Sequence, residues 1–141
     1  MKITGNRNAR SFAQWHHVLL SKVSPLRERR VRRMYVAIRR YQLDPASAGE
    51  VMRHVNEGFI PLIKDAEGFL AYYAINAGAG EIATVSIFEG QAGAEESIRI
   101  AADWVRQNLA ALLPNPPEIT AGEIEAHELN LTGLGMRHLR E

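Results

Sequence analysis

The sequence predicts an α+β fold of the ferredoxin-like kind, βαββαβ, with a four-stranded antiparallel sheet and two helices on one face, over residues 34–128. Three observations carry this. Four segments rich in β-branched and aromatic residues enclose two segments whose apolar residues recur at helical spacing. Glycine or proline punctuates the junctions between most of these segments. Finally, two amphipathic helices need a shared surface for their apolar sides, and a sheet face supplies it.

The first strand is expected from Met34 to Leu43, where Asp44-Pro45 stops it and offers an N-cap followed by proline at the first helical position. In the helix that follows, Val51, Met52, Val55, Phe59, Leu62 and Ile63 gather on one face, with Arg53, Glu57 and Lys64 opposite. Pro61 is expected to kink or end this helix, because it lacks a backbone donor. Glu67-Gly68 turns the chain. Phe69 to Asn76 and Glu81 to Glu89 form a hairpin around Ala77-Gly-Ala-Gly80, and Gly90 to Gly93 punctuates again. The second helix spans Ala94 to Leu113, with the stripe Ala94, Ile98, Ala101, Val105, Leu109, Leu112, and Pro114, Pro116 and Pro117 end it. Ile119 to Leu129 is the fourth strand, and residues 129–141 are a tail.

Composition narrows the function classes. The 141 residues are 46% hydrophobic and 23% charged, enough for one packed core. No cysteine is present, which excludes disulfides, thiolate metal sites and a cysteine nucleophile and makes a reducing cytoplasm the default location. No apolar run approaches the roughly 20 residues of a membrane span. The net charge of +1 hides a split: residues 1–33 carry nine basic residues against Glu28, and residues 34–141 carry eight against fifteen acidic ones. The basic arm invites nucleic acid or an anionic surface. The simpler reading, that translation normally begins at Met34 and that residues 1–33 are an upstream extension, disfavours nucleic acid as a partner.

Strand alternation is expected to place Val36, Ile38, Ala83, Val85 and Ile87 under the helices, and Tyr35, Ala37, Arg39, Tyr41, Ile82, Thr84, Ser86 and Phe88 on the opposite face. The second set is too apolar for open water and too polar for a dry core. It therefore predicts a homodimer that encloses a cavity between two sheets.

Five segments, Tyr35-Val-Ala-Ile-Arg-Arg-Tyr41, Gly58-Phe-Ile-Pro-Leu-Ile63, Gly68-Phe-Leu-Ala-Tyr-Tyr73, Ser86-Ile-Phe-Glu89 and Ala101-Ala-Asp-Trp-Val105, resemble the antibiotic-biosynthesis monooxygenase-like group of the dimeric α/β-barrel superfamily. The resemblance runs from about Met34 to His127. Such proteins include cofactor-free monooxygenases of polyketide-like aromatics, haem-degrading enzymes, and small proteins with no assigned role. The haem-degrading branch has an asparagine in the first strand, a tryptophan ending the third and a histidine ligand in the second helix. Here Arg39, Phe88 and a histidine-free second helix stand in those places, which disfavours haem.

The candidate ligand-binding residues are Tyr35, Arg39, Tyr41, Ser86, Phe88 and His127. Arg39 either clamps an enolate or phenolate oxygen or pairs across strands with Glu123 or Glu125. His127 beside Glu125 is either a general base or a solvated strand-end residue. Of Tyr72 and Tyr73 only one can face the cavity, and Trp104 with Ile100 forms a ridge off the main stripe, to be covered by a partner, the arm or the tail. The histidines lack metal-ligand spacing, and neither a P-loop nor GxGxxG occurs, so neither a metal nor a cofactor is expected. The resemblance implies a small homodimer that binds, and in its enzymatic form oxidises, a small aromatic or enolic molecule without metal or haem. The alternative is a non-catalytic ligand-binding or structural dimer.

Overall fold

The computed structural model describes residues 33–133; the arm before Arg33, with the His16-His17 pair, and the end of the tail, with His138, lie outside the described residues. Strand β1 is Met34–Gln42. Asp44 then caps the turn that follows, its carboxylate accepting from the Ala46 N–H at 3.0 Å, and a 3₁₀ turn, Pro45–Ser47, leads into the first helix. That helix, α1, comprises Ala48–His54, a π turn Val55–Phe59 and a last turn Ile60–Ile63. Pro61 therefore neither ends the helix nor stands alone in it. The Ile60 N–H reaches back to the Val55 carbonyl, and this widened turn sits where the proline ring would otherwise press on the carbonyl four residues earlier.

Strands β2, Phe69–Gly78, and β3, Glu81–Phe88, form the hairpin. Helix α2 is Gln91–Asn108, shorter than expected, although Leu109 and Leu113 beyond its end are still buried. Strand β4, Glu118–Ile124, also stops short of the expected Leu129. The sheet order is β2-β3-β1-β4 with every neighbour antiparallel, the ferredoxin-like arrangement.

The core corrects one expectation. Ala37, Arg39, Tyr41, Ile82, Thr84, Ser86 and Phe88 are the buried residues of β1 and β3, whereas Val36, Ile38, Ala83, Val85 and Ile87 are only half-buried. Tyr41, Ile82 and Phe88 pack with Val51, Val55, Phe59 and Ile63 of α1 and with Ala94 and Ala101 of α2. The face expected to close a cavity between two sheets therefore lies beneath the helices, and the β-branched face is the open one. Greater apolarity pointed the wrong way because polar side chains line a cavity inside the helix-covered layer. On the open face the register aligns Val36, Ile87 and Ala71 in one row, Ile38, Val85 and Tyr73 in the next, and Ala83 with Ile75 beyond.

The hairpin turn is tightly specified. Ala79 and Gly80 have φ of 52° and 78°, the signs of a type I′ turn, and the Gly80 carbonyl accepts from the Leu43 N–H at 2.9 Å. A Cβ on Gly80 would lie 2.4 Å from the Leu43 carbonyl oxygen. We expect Gly80→Ala to lose more than the ~1–2 kcal/mol of a left-handed residue alone, because backbone must also move. Ala79→Gly, with no such obstruction, should be neutral or stabilising. Urea denaturation of both variants checks this, and equal losses would refute the assignment of a close approach to Gly80.

Candidate functional site

Arg39 sits mid-strand in β1, between Thr84 of β3 and Ile119 of β4, with its side chain pointing under the helices. It is 2% exposed. A guanidinium held out of water costs several kcal/mol unless a carboxylate or a full set of acceptors compensates it. Its compensation here is partial. Nη2 donates to Ser86 Oγ at a long 3.3 Å, and Cζ lies 5.8 Å from the centre of the Phe59 ring, a cation–π contact. Nε and Nη1 have no acceptor, and buried Thr84 Oγ1 beside them has no partner either. Among the described residues no carboxylate pairs with Arg39. Of the two partners expected for it, Glu123 lies opposite Tyr35 and pairs with Arg33 at 3.3 Å, and Glu125 is exposed beyond the end of β4.

These groups face a cavity between the sheet and both helices. Arg39, Tyr41, Tyr72 and Thr84 supply its polar edge, and Phe59 and Trp104 its main aromatic wall. Val51, Val55, Ala101, Val105 and Leu109 add apolar surface from the helical side. Phe59 is the hub, with ring centres 5.3 Å from both Tyr72 and Trp104. Burial pushes the Tyr41 hydroxyl up from its ordinary value and the Tyr72 hydroxyl up to about 12, against the opposing pull of the nearby Arg39 charge. Both tyrosines therefore remain neutral at pH 7. The Tyr72 hydroxyl feels Arg39 and Thr84, but neither forms a hydrogen bond of normal geometry with it.

Of the six residues expected to bind ligand, Arg39 and Tyr41 line the cavity and Ser86 holds Arg39 from behind. Phe88 is fully buried against Phe69, ring centres 6.0 Å apart, and does not line the cavity. Tyr35 lies with Arg33 and Glu123 in a separate groove. His127 is exposed beyond the end of β4, and the cavity lining contains neither histidine nor carboxylate. Sequence reasoning did not single out Thr84 and Phe59 as site residues. It also left Trp104 to a covering partner, arm or tail, whereas Trp104 packs on Phe59 and Gly58 of α1. The available signal was Gly58 beside Phe59, a helical position without a side chain that leaves room for an indole.

The tyrosine shift sets a prediction. Unfolded, Tyr72 ionises near 10; folded, it holds its proton to about 12, so its contribution is complete below pH 10 and is lost as pH rises through 12. Two units correspond to ~2–3 kcal/mol. Tyr72→Phe should therefore show a shallower fall in stability between pH 10 and 12 in alkaline denaturation, and a parallel fall in the two proteins would argue against a buried neutral hydroxyl.

No protein-family model matches the chain, and no curated protein does. Solved structures do. A protein of unknown function from Nitrosomonas europaea superposes with a TM-score of 0.60 at 24% identity, over 70% of this chain and 96% of that one. A monooxygenase of Streptomyces coelicolor, in complex with nanaomycin D, gives 0.57 at 18% identity over 70% and 94%. A heme-degrader of Mycobacterium tuberculosis, with two hemes bound in its active site, gives 0.54 at 12% identity over 67% and 99%. With the observed strand order, these likenesses settle the fold: the chain has the ferredoxin-like βαββαβ fold that these structures share.

Proposed function

We propose that the Arg39 cavity binds a small aromatic or enolic molecule through an anionic oxygen, and that the protein is monooxygenase-like in using neither metal nor haem for this. The observation that carries the reading is the buried guanidinium with two donors free, set among aromatic rings. An oxyanion would complete its hydrogen bonding, Thr84 Oγ1 would take a second polar group of the ligand, and Phe59 would flank the ring. In an oxidising reaction the electron-rich carbon of the bound enolate would react with dioxygen, one oxygen atom ending in a new carbonyl and the other in water, together with the one hydrogen that carbon still carries and one proton from solvent.

One observation favours the second reading, a binding protein without catalysis. The lining holds no imidazole or carboxylate to remove a proton. A substrate that arrives already ionised needs no such base, so the two readings separate on ligand pKa. Dioxygen consumption with a substrate ionised at the working pH would favour catalysis. Binding without turnover would favour the second reading.

Arg39→Met should weaken a phenolate by roughly 1.5–3 kcal/mol, the scale of a charged hydrogen bond, and leave the corresponding methyl ether unchanged. Calorimetric titration of both ligands on both proteins measures this. Equal losses would mean general damage to the cavity, and no loss for either would remove Arg39 from ligand binding.

The homodimer belongs to the same proposal, now through the open face of Val36, Ile38, Tyr73, Val85 and Ile87. Tyr73 is 50% exposed and Ile75 45%, a large apolar surface to leave in water. Val85→Asp should convert a dimer to monomer in light scattering. A parent protein that is monomeric at micromolar concentration would sink this part of the reading.

A further inference from the structure

The cavity as it stands is too small for the ligand that Arg39 calls for. Its volume is about 20 Å³, room for one water, whereas a dry cavity that takes up a benzene ring is on the order of 150 Å³. A lining side chain must therefore leave. Most of the lining is buried, and only Tyr72, Trp104 and Val105 reach the surface in part. Tyr72, on the edge strand β2 opposite Ser86, carries part of the polar edge that an anionic ligand needs beside Arg39, and Val105 is too small to vacate the space of a ring. Trp104 is large enough, lies on α2 at the rim, and has its edge against Phe59.

The opposite wall is built to fit it. A Cβ on Gly58 would come within 3.1 Å of Trp104 Cζ2, so the indole lies directly on the backbone of α1. Gly58 belongs to the π turn Val55–Phe59, a local widening of the kind often found at functional sites. We infer that Trp104 is a displaceable plug: its indole fills the ring site of the ligand, swings out across Gly58 as the ligand enters, and thereby limits the ligand to a planar system of about indole size. This rests on the Arg39 cavity being the ligand site, and the test keeps the two ideas apart.

The test uses indole as a neutral probe of the plug and benzoate as an anionic probe of Arg39. In calorimetric titrations Trp104→Ala should bind indole at least tenfold more tightly than the parent, because the plug no longer competes, and bound indole should raise the melting temperature of the variant. No gain in indole binding would overturn the plug. Benzoate binding to neither protein would overturn the anion-site reading while the indole result still decides the plug. If Trp104→Ala does not fold, the parent carrying Trp15→Phe decides the matter, since Trp104 is then the lone tryptophan. Saturating benzoate, which does not absorb at the red edge of the tryptophan band, should increase acrylamide quenching of Trp104 as the indole moves outward. Bound ligand with unchanged or reduced quenching would overturn the proposal.

Discussion

The burial of one arginine with incomplete compensation governs the architecture of this domain. Arg39 lies mid-strand on β1, an inner strand hydrogen-bonded on both sides, by β3 and β4. Its charge cannot escape to solvent without breaking the sheet, and snorkelling is closed by the helices above it. Ser86 takes one donor and the Phe59 face accepts part of the charge. A well-packed apolar residue at position 39 would spare that desolvation cost. On the proposed reading, retaining a cation there trades stability for a preorganised anion-binding direction, because the guanidinium is held by its strand rather than by a loop.

The helix above it is shaped by Pro61. A regular helix through Pro61 would either kink or clash, and the widened turn ahead of the proline keeps the apolar row Val51, Val55, Phe59, Ile63 facing the sheet. Phe59 then meets Arg39, Tyr72 and Trp104 together, so a single ring ties α1 to β1, β2 and α2. The apolar body and the polar edge of the cavity are thus positioned by core packing, and changes to either alter the other.

The element order was legible because strand and helix differ in period, and because Asp44-Pro45, Gly68 and the prolines after Leu113 mark boundaries by local chemistry. Arg39 was legible as a cation among apolar neighbours. Which sheet face met the helices was not, since alternation defines two sets but not their direction. The more hydrophobic set, Val36, Ile38, Val85 and Ile87, turned out to face away from the helices. Trp104 and Thr84 belong to the site only through tertiary packing, and their spacing in sequence carries no trace of each other.

Strand β2 borders the sheet, and its pairing with β3 slips in register near both ends, between Phe69 and Ala71 and between Asn76 and Gly78. A border that runs straight only through its middle offers an incoming strand few aligned N–H and C=O groups. The broad apolar face is not interrupted in this way. On the β2 side this favours the proposed two-fold contact of face against face over the open-ended growth, in the direction of fibres, that a regular border would template; β4, the other border, pairs with β1 without a slip.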